Sequence, residues 1–273
     1  MPPLSLWHLR PSPGNGTPPG LGKKAFSFPD QRTIVFGVGP AGQDLNTVRT
    51  GDDESPEDLW DALARLGVIP VVELVDARLA VPLAQALLAA GLPCAEITFR
   101  SAAAADAIAE IVKRCPDMLV GAGTVLSEEQ AEAAITAGAA FVVSPGFNPG
   151  VVRHVRALGV PMLPGVCTPT EIEAARSEGM NIVKLFPAEA SGGIAYLRAI
   201  AAPYRDMRFV PTGGIGPANL AGYLALPQVL ACGGSWLVSR DLIEAGDFAA
   251  ISRLGSEAVA IVRAARVARG KGA

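Results

Sequence analysis

The sequence predicts an α/β protein: a (β/α)8 TIM barrel entered through one helix and preceded by a disordered N-terminal extension. Three observations predict it. From residue 68 onward, short β-rich runs alternate with Ala- and Leu-rich helical patterns, and such alternation with short connections implies a parallel sheet. Half of the residues are hydrophobic but only 5% are aromatic, as expected where aliphatic helices pack on a buried parallel sheet. Polar and glycine residues gather at the carboxyl end of one run after another, the end at which a barrel carries its site. Eight such units in about 180 residues fit a compact barrel better than an open sheet. Period alone leaves a doubly wound sheet open.

Residues 1–55 are dense in Pro and Gly and lack a periodic apolar face, so an extension without order is expected there. Ser55 suits an N-cap, with Pro56 at the first helical position and Asp58 in the first turn. A helix through Arg65 should follow, and the barrel domain should span 56–273. The strand candidates are 68–74, 94–98, 118–121, 141–143, 161–164, 182–186, 208–211 and 229–232. Helical patterns run near 78–90, 102–115, 127–137, 149–158, 169–178, 193–202 and 216–225, and 247–269 reads as a final amphipathic helix. Gly91, Gly138, Gly159 and Gly179 follow helices where a C′ residue belongs.

Composition narrows the chemistry. A net charge of −3 leaves no basic footprint, so nucleic acid is not an expected partner. Charges, Gly or Pro interrupt every apolar run before transmembrane length, and the first residues lack the apolar stretch of a signal peptide. No membrane association and a cytoplasmic location are therefore expected. Cys94, Cys115, Cys167 and Cys232 show no metal-ligand spacing and read as free thiols. The histidines are His8 and His154 alone, too few for a multi-histidine metal site and poor material for a Ser-His-Asp triad. No metal and no cofactor are expected.

Lysine is scarce: of 23 Lys and Arg residues, only Lys23, Lys24, Lys113, Lys184 and Lys271 are lysines. Lys184 stands inside an apolar run, NIVKLFP. Strand alternation turns Lys184 and Phe186 to the same side, toward the barrel interior. Desolvation there favours the neutral amine, which can attack a ketone and form an iminium, an electron sink for a carbanion on the adjacent carbon. The competing reading is a core lysine whose ammonium simply pairs with Glu96. Glu96 and Arg100 lie four apart at the end of the second strand. The carboxylate suits proton transfer, and the guanidinium suits bidentate binding of a substrate carboxylate. A salt bridge between those two residues is the alternative. Thr212-Gly213-Gly214 and Gly233-Gly234-Ser235 follow the last two strands. Loops at those places, leading into helix N-termini, commonly cradle phosphate in this fold, although tight turns without a ligand would look the same. Cys167 reads as packing.

The segments AEITFR, VGAGTV, SPG, PGVCTPTE, KLFPAEASGG, PTGGI and GGSWLV closely resemble the bacterial 2-keto-3-deoxy-6-phosphogluconate (KDPG) aldolases, which also act as 4-hydroxy-2-oxoglutarate (KHG) aldolases. The resemblance covers about residues 56–268. It implies a metal-free class I aldolase of the Entner–Doudoroff pathway, a homotrimer, acting on a phosphorylated keto-deoxy sugar acid and yielding pyruvate. It further implies Lys184 as Schiff-base lysine, Glu96 as general acid/base and Arg100 as carboxylate binder. Thr124 falls on the threonine of the GAGT loop, Pro145 on the pocket proline and Phe186 on the ring beside the lysine. Thr212, Gly213, Gly214, Gly234 and Ser235 fall in its phosphate loops. Relatives acting on the galactonate epimer have an arginine where this chain has Glu73, which favours the gluconate-type branch. Cys167 replaces a common serine and Ser239 a common proline. Two rival functions stay open: the same chemistry on another aldehyde, and a phosphate-binding isomerase or epimerase barrel that forms no imine.

Overall fold

The computed structural model describes residues 56–270. The expected extension, 1–55, lies outside the described residues. The chain enters through helix α1 (Pro56–Leu66). Leu63 on its inner face is fully buried, and Trp60 meets the Phe141 ring with centroids 6.4 Å apart. Strand β1 (Val68–Val72) follows, and then the strands β2 (Cys94–Thr98), β3 (Leu119–Gly123), β4 (Phe141–Val143), β5 (Met162–Leu163), β6 (Gly165–Val166), β7 (Ile182–Leu185), β8 (Arg208–Pro211) and β9 (Cys232–Gly234). All pairings are parallel: one set runs β5-β4-β3-β2-β1-β9 and the other β6-β7-β8. The result is an α/β fold with a curled parallel sheet.

Helices return outside the sheet: α2 (Ala80–Ala89), α3 (Ala104–Arg114), α4 (Glu128–Thr136), α5 (Pro149–Ala157), α6 (Pro169–Ser177), α7 (Gly193–Ala201), α8 (Leu220–Leu224), α9 (Arg240–Glu244) and α10 (Phe248–Gly270). Several of their starts carry side-chain caps for N–H groups that the helix itself leaves unpaired. Ser127 accepts from Gln130 N–H, Asn148 accepts from Gly150 N–H, and Thr168 forms a capping box with Glu171. Gly91, Gly138, Gly159 and Gly179 do sit past helix ends, with φ from +75 to +97°. Helix α2 is apolar nearly all round because it is held between the sheet and α10; at Gly255 of α10 a Cβ would come within 2.7 Å of Ala90. No helix among the described residues is long and apolar enough to cross a membrane.

Several boundaries differ from the sequence expectation. The fifth run, 161–164, shortens to β5, and an unexpected short strand, β6, follows Pro164, which has no N–H to donate; β5 pairs with β4 and β6 with β7. The eighth strand lies later than 229–232. Gly233 and Gly234 pair with Ile69 and Pro70 inside β9, whereas Val229 makes only an isolated bridge to Phe209. The third strand likewise runs on beyond Gly121 to take in Ala122 and Gly123. Glycines read as loop residues are strand residues here because bulk cannot fit beside them. A Cβ on Gly123 would strike the Glu96 side chain. The helix expected over 216–225 shrinks to α8. The turn Trp236–Val238 and α9 carry no period long enough to read from sequence.

Candidate active site

Lys184 lies on β7, with 4% of its surface exposed, and Glu96 on β2, with 2% exposed. The Lys184 Nζ donates to Glu96 Oε1 at 3.3 Å. The two side chains thus meet across the interior from strands far apart in the pairing order. The carboxylate fits only because Gly123 of the adjoining strand lacks a Cβ, which would collide with it. The same Nζ stands 5.4 Å from the centroid of the Phe186 ring, so Lys184 and Phe186 share a side as alternation requires. A buried amine and carboxylate within proton-transfer reach form a reactive pair: the proton that leaves the ammonium has an acceptor, and the freed amine is a nucleophile. The pairing with Glu96 foreseen as a purely structural alternative is present, and the contact is compatible with both readings.

The other candidates surround this pair unevenly. Thr124 closes β3 and has φ +56°, the sole positive φ at a non-glycine among the described residues. For a β-branched residue that conformation is strained, and strain of this kind concentrates at functional sites. Pro145 lies against Gly165, where a Cβ would collide with the Pro145 carbonyl. Gly165 is itself in register with Lys184. Thr212 is buried and bridges to Gly233, which brings the two Gly-Gly segments side by side. Gly213 and Gly214 take φ +99° and +78°, and a Cβ on Gly214 would meet the Glu189 side chain. Gly234 is buried under the Trp236 ring, and Ser235 is exposed just beyond it.

Two details correct the sequence reading. The Gly-Gly segments do not lead directly into long helices: α8 is five residues long and begins at Leu220, and Ser235 opens only a single 3-10 turn. Arg100 pairs neither with Glu96 nor with Lys184. Its guanidinium is exposed and sits 3.5 Å from Glu73, at the end of β1. Glu73 as a counter-ion for Arg100 escaped the sequence reading, because the two are 27 positions apart and meet only through parallel pairing.

Glu171 was also missed. It accepts from the backbone N–H groups of Cys167 and Thr168, at 2.6 and 2.9 Å, and so holds the segment that follows Gly165. Burial opposes its charge, but those backbone donors outweigh burial and hold the carboxyl below its ordinary range. The Thr-Pro-Thr-Glu spacing of a capping box was the available signal. Tyr223 donates to Glu189 beside Gly214 in a similar way. Cys94, Cys115, Cys167 and Cys232 are free, and burial pushes the thiols of Cys94, Cys115 and Cys232 up. Among the described residues no group of three His, Cys, Asp or Glu side chains has the arrangement of a metal site.

Known proteins resemble this chain over most of its described length. The 2-dehydro-3-deoxy-phosphogluconate aldolase of Treponema pallidum is 54% identical over 204 residues, covering 75% of this chain and 97% of that protein. The crystal structure of the 2-keto-3-deoxy-6-phosphogluconate aldolase of Zymomonas mobilis ZM4 with 3-phosphoglycerate superposes with a TM-score of 0.70 at 39% identity, covering 74% of this chain and 95% of that one. The KDPG aldolase of Legionella pneumophila, with pyruvate captured as a covalent carbinolamine, gives a TM-score of 0.70 at 36% identity, covering 74% and 97%. The family description "KDPG and KHG aldolase" matches residues 60–254, and on that match and the 54% identity the chain belongs to this aldolase family.

Proposed function

We propose that the chain is a class I aldolase, a lyase that cleaves 2-keto-3-deoxy-6-phosphogluconate to pyruvate and glyceraldehyde 3-phosphate through a Schiff base on Lys184. The observation that carries this reading is the buried contact of 3.3 Å between Lys184 Nζ and Glu96. The Lys184 amine adds to the C2 ketone and gives a carbinolamine. Glu96 delivers a proton as water leaves, and the iminium forms. Glu96 then accepts the proton of the C4 hydroxyl while the C3–C4 bond breaks. The bonding electrons pass into the iminium to make an enamine, and the aldehyde departs. Protonation at C3 and addition of water release pyruvate and restore the amine. The covalent carbinolamine in the Legionella pneumophila relative supports the first step.

In this reading Arg100 and Thr124 bind the substrate carboxylate, and Pro145 and Phe186 wall the keto-acid end. Binding draws the Arg100 guanidinium away from its exposed pair with Glu73, which costs little because exposed ion pairs are weak, about 0–1 kcal/mol. Thr212, Gly213, Gly214, Gly234 and Ser235 receive the phosphate through backbone N–H groups and hydroxyls. Residues 56–273 form one (β/α)8 barrel. Its closure is supported by the bridges Phe209–Val229 and Thr212–Gly233, and by the continuity of β5 and β6 through Pro164. The assembly is a homotrimer acting in the cytoplasm in the Entner–Doudoroff pathway, as the resemblance implies.

The family description also names KHG aldolase, so 4-hydroxy-2-oxoglutarate is the second substrate to test, with the galactonate epimer third. Pyruvate release by wild type from each of the three is the deciding assay. The phosphogluconate derivative is expected to give the highest kcat/KM, and a preference for either alternative would reassign the substrate. Lys184→Ala should abolish release from all three.

A further inference from the structure

At the amino ends of β8 and β9, where Arg208 stands two residues before Val210, the register partner of Lys184, Arg208, Arg266 and Arg269 line a cavity of about 120 Å³ together with Ala64 and Pro227. A wider cleft of about 590 Å³ adjoins it, sharing Arg208 and Pro227 and adding Arg205 and Gln228. Arg65 closes the cluster from the last turn of α1. Among the described residues none of these five arginines pairs with a carboxylate. Asp206, nearest in sequence to Arg205 and Arg208, is engaged by Arg176 at 2.7 Å.

Two of the arginines are held in place by carbonyls. Arg266 donates to the Ala64 carbonyl near the end of α1, and Arg269 donates to the Pro227 carbonyl at 3.3 Å. Those bonds fix direction but neutralise no charge. The crowding registers at Arg266, where burial first, and then the charges of Arg269 and Arg65, push the pKa below its ordinary range. Converging guanidinium groups without a counter-ion are suited to an oxyanion, because their donors match phosphate oxygens in pairs. The inner cavity, at about 120 Å³, has room for one phosphoryl group. The outer cleft falls in the range of small-ligand sites, about 300–1,000 Å³.

We propose that this cluster is a second, non-catalytic anion site that takes a small phosphomonoester, its phosphoryl group among Arg208, Arg266 and Arg269 and its organic part in the cleft beside Arg205 and Gln228. Bound there, the ligand would tie α1, α10 and the 227–230 segment together at the end of the molecule remote from the candidate chemistry.

Hydrogen exchange of the full chain, read by mass spectrometry with inorganic phosphate or glycerol 3-phosphate added, tests this. Amides of 64–67 and 228–229 should gain protection, at lower concentration with glycerol 3-phosphate than with phosphate. The pair Arg208→Gln with Arg269→Gln should weaken that response at least tenfold, while aldol cleavage and phosphate protection at 212–214 stay as in wild type. If the half-buried Arg208 does not tolerate substitution, Arg205→Gln with Arg269→Gln, both exposed, carries the same expectation. Lys184→Ala should leave the response intact, so failure here is separable from failure of the aldolase reading. No protection in wild type, full protection in the paired variants, or no advantage of glycerol 3-phosphate over phosphate would each overturn the proposal.

Discussion

Lys184 and Glu96 share one apolar interior, and each is tolerable there because of the other. Removing one member of a buried pair strands the second and typically costs about 3–5 kcal/mol. Lys184→Ala should therefore lower stability by a few kcal/mol in addition to ending activity. Denaturant melts at neutral pH check the first effect. Glu96→Gln keeps an acceptor for the lysine but no counter-charge, so it should still fold, with some loss of stability, and lose about 10²–10⁴ in kcat; steady-state kinetics and a melt together separate the two effects. Thr124 offers a different test. Its φ of +56° is costly for a β-branched side chain. Thr124→Gly should raise stability by about 1 kcal/mol, since strain of about 1–3 kcal/mol is relieved against the added freedom of the unfolded glycine. It should also raise KM if the hydroxyl holds substrate.

At the scale of elements, the capped helices and the apolar strands were legible because each carries a local signal. Ser127, Asn148 and Thr168 announce helix starts, and the glycines after α2, α4, α5 and α6 announce stops. Lys184 was legible because a lone charge in an apolar strand is conspicuous. What local patterns do not carry is contact between distant strands. The Arg100–Glu73 pair and the placement of Gly233 and Gly234 inside β9 follow from register, which no short window encodes. Glu171 lies between these cases, because its capping spacing is local but its hold on Cys167 N–H belongs to the loop. Glu171→Ala should cost about 1 kcal/mol, the usual worth of a cap. The sign of its pH dependence is fixed. A carboxyl held below its ordinary 4.5 stabilises the fold above that pH, and the contribution is lost as pH falls through the lowered value. The stability gap between wild type and Glu171→Gln should therefore narrow in acid, and melts between neutral pH and about pH 3 would show it.

Across the whole molecule, the proposed closure of the sheet would depend on a thin seam. Phe209 N–H donates to Gln228, Leu230 N–H to Phe209 and Cys232 N–H to Gly67, linking β8 through β9 to β1. If the sheet closes in solution, these amides should exchange only on global unfolding, as slowly as those of β2 and β3; fast exchange at Leu230 would mean an open seam. The two ends of the sheet then have different tasks. The strand carboxyl ends hold the amine–carboxylate pair and the glycine segments, and the amino ends hold the arginine cluster. The activity itself rests on covalent capture of a keto acid by one amine. Borohydride reduction in the presence of pyruvate, followed by peptide mass spectrometry, tests that most directly. The account predicts a stable adduct equal to pyruvic acid less one oxygen, on Lys184 and absent from Lys184→Ala. An unmodified Lys184 in active enzyme, or an adduct on another lysine, would contradict it.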